Sequence, residues 1–543
     1  MMDATTTNRT RRIPRRYKLL AWLLLVLASQ YVRHRQDDQA RPAVHQQIIA
    51  MSAFAGDIFT DERVDMAYRD ARPDQLTDAP VVLVLHGSPL RPGELDGLVA
   101  ALRTGHRVIV PDLPGFGRST RRLPDYSFVA HAAYVEKLVE ALALTNLHIV
   151  AHSQGVGVGL ELYQRVPGAI RSMTFVSGIG VQEFELMGLY GLNRAIYGVQ
   201  WVLLEAAAVL VPHFGWLDRL MFNTAYARNF YDADLRPLRG YLAGLPCPLL
   251  LLHGRDDILV PLGTAQETHR LVPQSELLVE RAGHGLMRDR SGWVADHVAT
   301  FVAQVEQGLA RGRERAEPAR VEKAGQPFNR DDVDQAVGVA MVVMMILIAL
   351  ATFVSEDLAC IGAGLLAAQG IIDYPAAAGG AFIGIFIGDL LLFWAGHHWG
   401  KAALKRAPLK WMIKENALHE SSKWFARKGP VVILLSRFVP GSRLPTYFSA
   451  GMLHTRFWLF FMFFLFAGLV WAPLLVWLSM EIGQQIIETL FTYKLYTLAA
   501  IAATAVLLWL MFHIVIPLFS FKGRRLLLSR WRRLSRWEFW PSW

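Results

Sequence analysis

Cysteine is nearly missing from this 543-residue chain, and its two cysteines, Cys247 and Cys360, lie far apart. That excludes a disulfide framework and a Cys-based zinc site. Charge is scarce too: Asp, Glu, Lys and Arg make up 19% of the residues against 53% hydrophobic ones. Disorder needs the opposite balance and is excluded. A mean hydropathy of +0.27 argues against a purely soluble protein. The length exceeds the roughly 100–200 residues of one domain, so two or more are expected. The net charge of +10 points to anionic partners, either nucleic acid or anionic lipid, and its position decides between them.

Composition divides the chain. Residues 46–310 alternate short apolar runs with polar and Gly/Pro punctuation, the texture of a soluble domain. Residues 311–335 are charged with almost no large apolar residue, which suits a linker. Residues 336–520 are a membrane domain by composition. Ala336–Val354, Phe457–Met480 and Leu495–Ser520 carry no charge over 19, 24 and 26 residues, long enough to span a bilayer as helices. Pro375–Gly396, with the single acid Asp389, is a fourth candidate.

Residues 1–45 form a basic N-terminus. Arg9, Arg11, Arg12, Arg15, Arg16 and Lys18 precede the apolar run Leu19–Val32. As a helix that run is about 21 Å long, short of a ~30 Å hydrocarbon core. No clean small-x-small cleavage site follows it. Two readings stand: a helix lying in the membrane surface, and a short signal-anchor.

The excess of positive charge sits in loops beside the apolar segments, which favours lipid over nucleic acid. Segment 397–429 has eight Lys/Arg against two acids, and the tail 521–543 has seven against one. Segment 355–374 has only acids. The positive-inside rule places 397–429 and the tail in the cytoplasm, if 429–452 returns to the side it came from. The soluble domain is then cytoplasmic; a signal-anchor at 19–32 would place it outside.

The soluble part carries a nucleophile constellation. Val81–Leu85 ends in His86-Gly87-Ser88-Pro89, Val108–Val110 leads into Pro111-Asp112-Leu113-Pro114-Gly115-Phe116-Gly117, and Leu147–Ala151 is a third apolar run. Met173–Val176, Pro248–Leu252 and Leu277–Val279 follow, alternating with helical stretches such as Phe128–Leu144. That pattern indicates a parallel sheet covered on both faces. Ala151-His152-Ser153-Gln154-Gly155 is a strand–nucleophile–helix turn of G-x-S-x-G type, with Ala for the first Gly. His253-Gly254-Arg255-Asp256-Asp257 and Ala282-Gly283-His284-Gly285 follow, in the chain order serine, acid, histidine.

On these segments, residues 75–305 resemble the α/β-hydrolase superfamily, in its esterase/C–C-hydrolase-like branch. The resemblance implies that Ser153 attacks a carbonyl, His284 carries the proton and Asp257 orients His284. Asp256 is the rival acid. The backbone N–H groups of Ser88 and Gln154 would form the oxyanion hole. His86, His152 and His253 are read as structural neighbours, His86 as a support of the oxyanion loop. A serine nucleophile argues against dehalogenase and epoxide-hydrolase chemistry, which this fold performs with Asp at that position. The insert at about 180–240 would be a cap. Its stretch Ala195–Trp216 is either a buried helix lining an apolar pocket or a lid that dips into the bilayer, and both favour an apolar or lipid-like substrate.

Within the membrane part, Ser355–Ala367 and Ser436–Gly451 are too polar for ordinary spans. Pro440-Gly441 must interrupt a helix, so Pro430–Phe438 and Pro445–Met452 are expected as half-helices around a break. With Gly388-Asp389 and the segment Arg437-Phe438-Val439-Pro440-Gly441-Ser442-Arg443, they resemble the DedA (SNARE-associated, or VTT) family. Ser355-Glu356-Asp357 stands where that family often has Pro-Gly-acid, and leaves open whether Glu356 or Asp357 is the equivalent acid. The resemblance implies two facing re-entrant segments and translocation of phospholipid or polyprenyl phosphate. Glu356, Asp357, Asp389, Arg437 and Arg443 would form the transport site. The adjacent His397-His398 lack the spacing of a helical ligand pair.

The expected architecture is therefore an α/β-hydrolase fold with a helical cap, followed by an α-helical multi-pass membrane domain with two re-entrant segments. The expected protein is a serine hydrolase fused to a lipid transporter in a bacterial-type inner membrane, with neither cofactor nor metal. The alternatives are an esterase on a mere anchor, and a transporter with a non-catalytic lipid-binding domain.

Overall fold

The computed structural model describes residues 15–37, 46–73, 78–90, 93–186, 188, 190–218, 223–329, 338–403, 421, 423–424, 428, 431–437 and 442–492. Two compact units are present, Met1–Val354 with Gln369–Ile387, and Ser355–Ala368 with Gly388–Trp543.

The first unit is built on an eight-stranded sheet. Its strands are β1 (Gln47–Ala55), β2 (Ile58–Ala71), β3 (Val81–Leu85), β4 (Arg107–Pro111), β5 (Leu147–His152), β6 (Ile170–Val176), β7 (Leu249–Gly254) and β8 (Glu276–Glu280), in the order β1-β2-β4-β3-β5-β6-β7-β8. The β2 strand runs antiparallel to both its neighbours, and β4 through β8 are parallel. The central strands are apolar on both faces because both faces are covered. Ile149 and Leu251 join one core layer, and Val150 and Leu252 the other.

Helices flank this sheet. They are α1 (Arg15–Asp37), α2 (Asp96–Leu102), α3 (Phe128–Ala141), α4 (Gly155–Arg165), α5 (Tyr190–Leu210), α6 (Thr224–Asp232), α7 (Leu238–Gly244), α8 (Leu262–Leu271), α9 (Leu286–Asp289), α10 (Ser291–Glu306) and α11 (Pro318–Ala324). Helices α5 to α7 form the insert between β6 and β7, in the place expected for the cap. The cap helix α5 departs from the buried reading. It buries only Asn193 and Ala208, and much of its apolar surface stays exposed among the described residues.

Two further expectations change. The apolar N-terminal run is part of a 23-residue helix, longer than the 14 apolar residues suggested, because polar residues continue α1 on both sides of the run, Arg33 among them bonding to the cap. The stretch from 311 is folded as far as it is described. There α11 lies against α8, and Arg320 donates to the carbonyls of His269 (2.7 Å) and Ser275 (2.8 Å). A charged composition describes a solvated helix face as well as a linker.

Of the apolar segments, α12 is described over Gly338–Thr352, and Ala336 and Val337 before it lie outside the described residues. Helix α13 is Glu356–Ala368 and α14 is Tyr374–Ala403, with a break in its backbone at Gly400. Short helices Val431–Ser436 and Arg443–Met452 follow, and then the long helix Phe457–Thr492. Among the described residues, two stretches are long and apolar enough to cross a membrane, Tyr374–Gly400 and Phe457–Ile482. The Pro440-Gly441 break, the expected span at 495–520 and the basic tail lie outside the described residues.

Candidate functional site

Ser153 sits between the end of β5 and the start of α4. Its φ of +52° is a left-handed conformation that a serine adopts only where the surroundings hold it. The Ser153 N–H donates to Val176 O (3.2 Å), and its carbonyl accepts from Ile179 N (3.2 Å). Gly155 makes the turn possible. A Cβ there would lie 2.5 Å from Leu85 O and 2.8 Å from His86 O, so α4 starts against the end of β3 only with glycine at this position. Gly155→Ala is expected to cost about 1–3 kcal/mol as an overpacked core. The check is the thermal midpoint of tryptophan fluorescence in detergent, and an unchanged midpoint would contradict it.

His284 faces the serine from the loop after β8. Its Nε2 is 3.1 Å from Ser153 Oγ, and its Nδ1 is 2.9 Å from Asp257 Oδ2. Asp257 follows β7, and its Oδ1 accepts the N–H groups of Leu259 (3.0 Å) and Val260 (2.9 Å). Burial pushes this carboxyl upward. The hydrogen bond and charge of His284, with His253 and the Val260 N–H, outweigh that and hold it below the ordinary aspartate range. Gly254 lets the acid loop lie on the histidine loop, since a Cβ there would be 2.5 Å from Ala282 O. Asp256, the rival acid, spends its N–H on Ala282 O (2.9 Å), and its carboxylate is not on His284.

The neighbouring histidines support the loops. The Leu113 N–H donates to His86 Nε2 (2.9 Å), so the neutral ring carries its proton on Nδ1, against Gly87 O at 2.6 Å. Burial holds this imidazole below its usual pKa. His86 thereby ties the loop after β3 to the loop after β4. His152 is pushed down to about 3, first by burial and then by the charge of His284. His152 is thereby unsuited to proton transfer near neutrality. Ser88 and Gln154 lie on the loops that flank Ser153. Their backbone N–H groups make no hydrogen bond among the described residues.

The second unit holds a different cluster. Asp389 of α14 pairs with Arg437 at 3.1 Å, and both are buried. Glu356, at the start of α13, pairs with Arg443 and lies 3.9 Å from Arg437. Two acids and two guanidiniums from four segments are thus brought together. Asp357 is exposed and outside the cluster. Successive helical residues point about 100° apart, so a helix start can aim only one of the two acids inward. Arg437 Nε and Nη1 and Thr446 Oγ1 are buried without a hydrogen-bond partner among the described residues. No motif announced Thr446, which lies one helical turn beyond Arg443.

Comparison with known proteins agrees with both parts. A family model described as alpha/beta hydrolase fold matches residues 80–200, and one described as VTT domain matches residues 360–480. Among curated proteins, a 2-hydroxy-6-oxo-2,4-heptadienoate hydrolase of Pseudomonas putida is 28% identical over 254 residues, covering 41% of this chain and 89% of the relative. An uncharacterized protein of Mycobacterium tuberculosis is 26% identical over 299 residues, covering 48% and 87%. A haloalkane dehalogenase of Bradyrhizobium diazoefficiens is 32% identical over 114 residues, covering 21% and 36%. Among solved structures, a thermophilic esterase from Thermogutta terrifontis superposes with a TM-score of 0.37 at 20% identity, covering 48% of this chain and 99% of the other. The chain therefore joins an alpha/beta hydrolase domain and a VTT domain, the DedA-type module, in one polypeptide.

Proposed function

We propose that this is a membrane-bound serine hydrolase fused to a lipid-translocating domain. The observation that carries the hydrolase reading is the unbroken hydrogen-bonded series Ser153, His284, Asp257. Ser153 Oγ attacks the carbonyl carbon as His284 Nε2 takes its proton. The oxyanion that forms accepts the N–H groups of Ser88 and Gln154, which donate to nothing else among the described residues. His284 then protonates the leaving group, and the acyl–serine bond is broken by water with His284 again as base. Asp257 keeps the imidazole oriented and stabilises its cationic form. The substrate is an ester, or a related acyl or C–C bond, of an apolar or lipid-like molecule. The apolar cap supports that choice, as do hydrolases among the relatives. Ser153 argues against the dehalogenase chemistry of one of them.

The membrane part is read as multi-pass. Helix α13 is about 20 Å long at 1.5 Å per residue, too short to cross, and the helices 431–436 and 443–452 are shorter still. These lengths support two re-entrant segments. Charges buried among them are costly in hydrocarbon and mark a pathway. An anionic lipid headgroup, of a phospholipid or polyprenyl phosphate, is the partner that two adjacent guanidiniums would take, one of them with nitrogens unpaired among the described residues.

The basic loops favour a cytoplasmic hydrolase domain and C-terminus. A fluorophosphonate probe that cannot cross the membrane is expected to label Ser153 in lysed cells and not in intact ones. A reporter fused after Trp543 should read cytoplasmic. Labelling of intact cells would reverse the sidedness, and no labelling in either would remove the hydrolase reading.

A further inference from the structure

Helix α1 changes character along its length. From Lys18 to Leu25 every side chain is exposed, and all but Lys18 are apolar. From Val26 onward one face is covered, with Val26, Ser29 and Arg33 buried at helical spacing. The covering partner is the far end of α5. The last carbonyls of a helix have no donor of their own, and here α1 supplies them. Gln30 Nε2 donates to Ala208 O (3.1 Å) and Val209 O (2.9 Å), and Arg33 Nη1 donates to Ala208 O (2.7 Å). Arg33 also holds Asp218 through two bonds, at 3.0 and 2.8 Å. Ser29 Oγ accepts the N–H groups of His213 (3.0 Å) and Phe214 (2.8 Å). These contacts, charge-assisted where Arg33 donates, fasten the N-terminal helix to the cap.

Beyond that junction α5 exposes Ile196, Val199, Val202, Leu203, Val209 and Leu210. At the 100° per residue of an α-helix these six fall within an arc of about 140°, and the exposed Gln200 and Glu205 mark its two margins. Trp216 just after it is 69% exposed. An apolar surface of this extent on a folded domain marks an interaction site.

We infer that α1 and α5 form a single lipid-embedded lid, which seats the hydrolase domain in the surface of the bilayer. The bilayer is the occupant for three reasons. The stretch Leu19–Leu25 of α1 is apolar on all sides, and a lipid phase covers such a helix whole where a protein groove would cover one face. Lys18, exposed at the start of this stretch, suits anionic headgroups. The same chain carries apolar helices long enough to cross a membrane, which hold the domain beside it. A cavity of about 1910 Å³ has walls from both helices, including Gln30, Arg33, Trp201 and Glu205. The latch therefore joins the cap and the apolar end of α1 into one unit, and Ser153, Asp257 and His284 do not line the cavity between them.

This rests on the membrane assignment and not on the hydrolase chemistry, so the test uses the full chain with Ser153→Ala. Single Val202→Cys and Leu24→Cys variants are labelled with an environment-sensitive thiol probe in nanodiscs of zwitterionic and anionic phospholipid. Cys247 and Cys360 are buried and give little background. Glu62→Cys on β2 is the exposed control. Both lid positions should be quenched by spin-labelled lipid and protected several-fold from aqueous iodide relative to the control. Iodide quenching equal to the control would overturn the proposal. So would protection from both quenchers, which would mean that protein covers the face, either this chain's own or a second copy's. Ser29→Ala/Arg33→Ala should lower lipid quenching at position 202 and leave it at position 24. Unchanged quenching at 202 would show that the two helices do not act as one.

Discussion

Ser153→Ala is expected to lower turnover of every ester the wild-type chain accepts by about 10⁴-fold or more, the scale at which a nucleophile acting with its base is lost. The substitution deletes one oxygen from a buried site. Alanine fits the same volume and tolerates the same backbone no worse than serine, so folding should be retained. What vanishes is the atom 3.1 Å from His284 Nε2. Asp257→Asn should cost a comparable factor for a different reason. An amide at 2.9 Å from His284 Nδ1 no longer demands a proton on that nitrogen, and the tautomer able to accept the Ser153 proton loses its support. Hydrolysis of short and long acyl esters in detergent provides the measurement. Wild-type turnover in Ser153→Ala on all of them would sink the assignment of the nucleophile.

The residues proposed for this chemistry stand out in the sequence because each sits in a turn whose shape demands particular neighbours. Gly155 is needed where α4 starts against Leu85 O, and Gly254 where the acid and histidine loops touch, so the motifs are steric requirements written into short segments. Contacts between distant segments left no such trace. Ser29 and Arg33 meet residues about 180 positions away, and nothing local distinguishes them from the other polar residues of a basic N-terminus. The exposure of α5 was hidden for a related reason: an apolar helix has the same composition whether it is covered by a core or by lipid. Glu356 and Asp357 could not be ranked because adjacent acids differ only in helical phase, which depends on where α13 begins.

Loss of lipid translocation is the second large effect expected, in Arg437→Ala/Arg443→Ala. A guanidinium stays charged at any accessible pH and offers a planar fork to phosphate. Arg437 spends one nitrogen on Asp389 and keeps Nε and Nη1 without a hydrogen-bond partner among the described residues. Removing it alone leaves the buried Asp389 carboxylate unmatched, a cost of about 3–5 kcal/mol that could unfold the domain before transport is tested. The informative partner variant is Arg437→Met/Asp389→Leu, which takes both charges away and keeps the volume. It should remain folded and still fail to move lipid. Arg443→Lys keeps the charge but not the fork, and should weaken exchange rather than end it. Glu356→Gln should weaken exchange by taking the charged partner from Arg443, whereas Asp357→Asn, on the exposed side of α13, should behave as wild type. The assay is exchange of a labelled phospholipid or polyprenyl phosphate between leaflets of proteoliposomes. Wild-type exchange in the folded Arg437→Met/Asp389→Leu chain would mean that the cluster only holds four segments together, and the membrane domain would then be an anchor for the hydrolase.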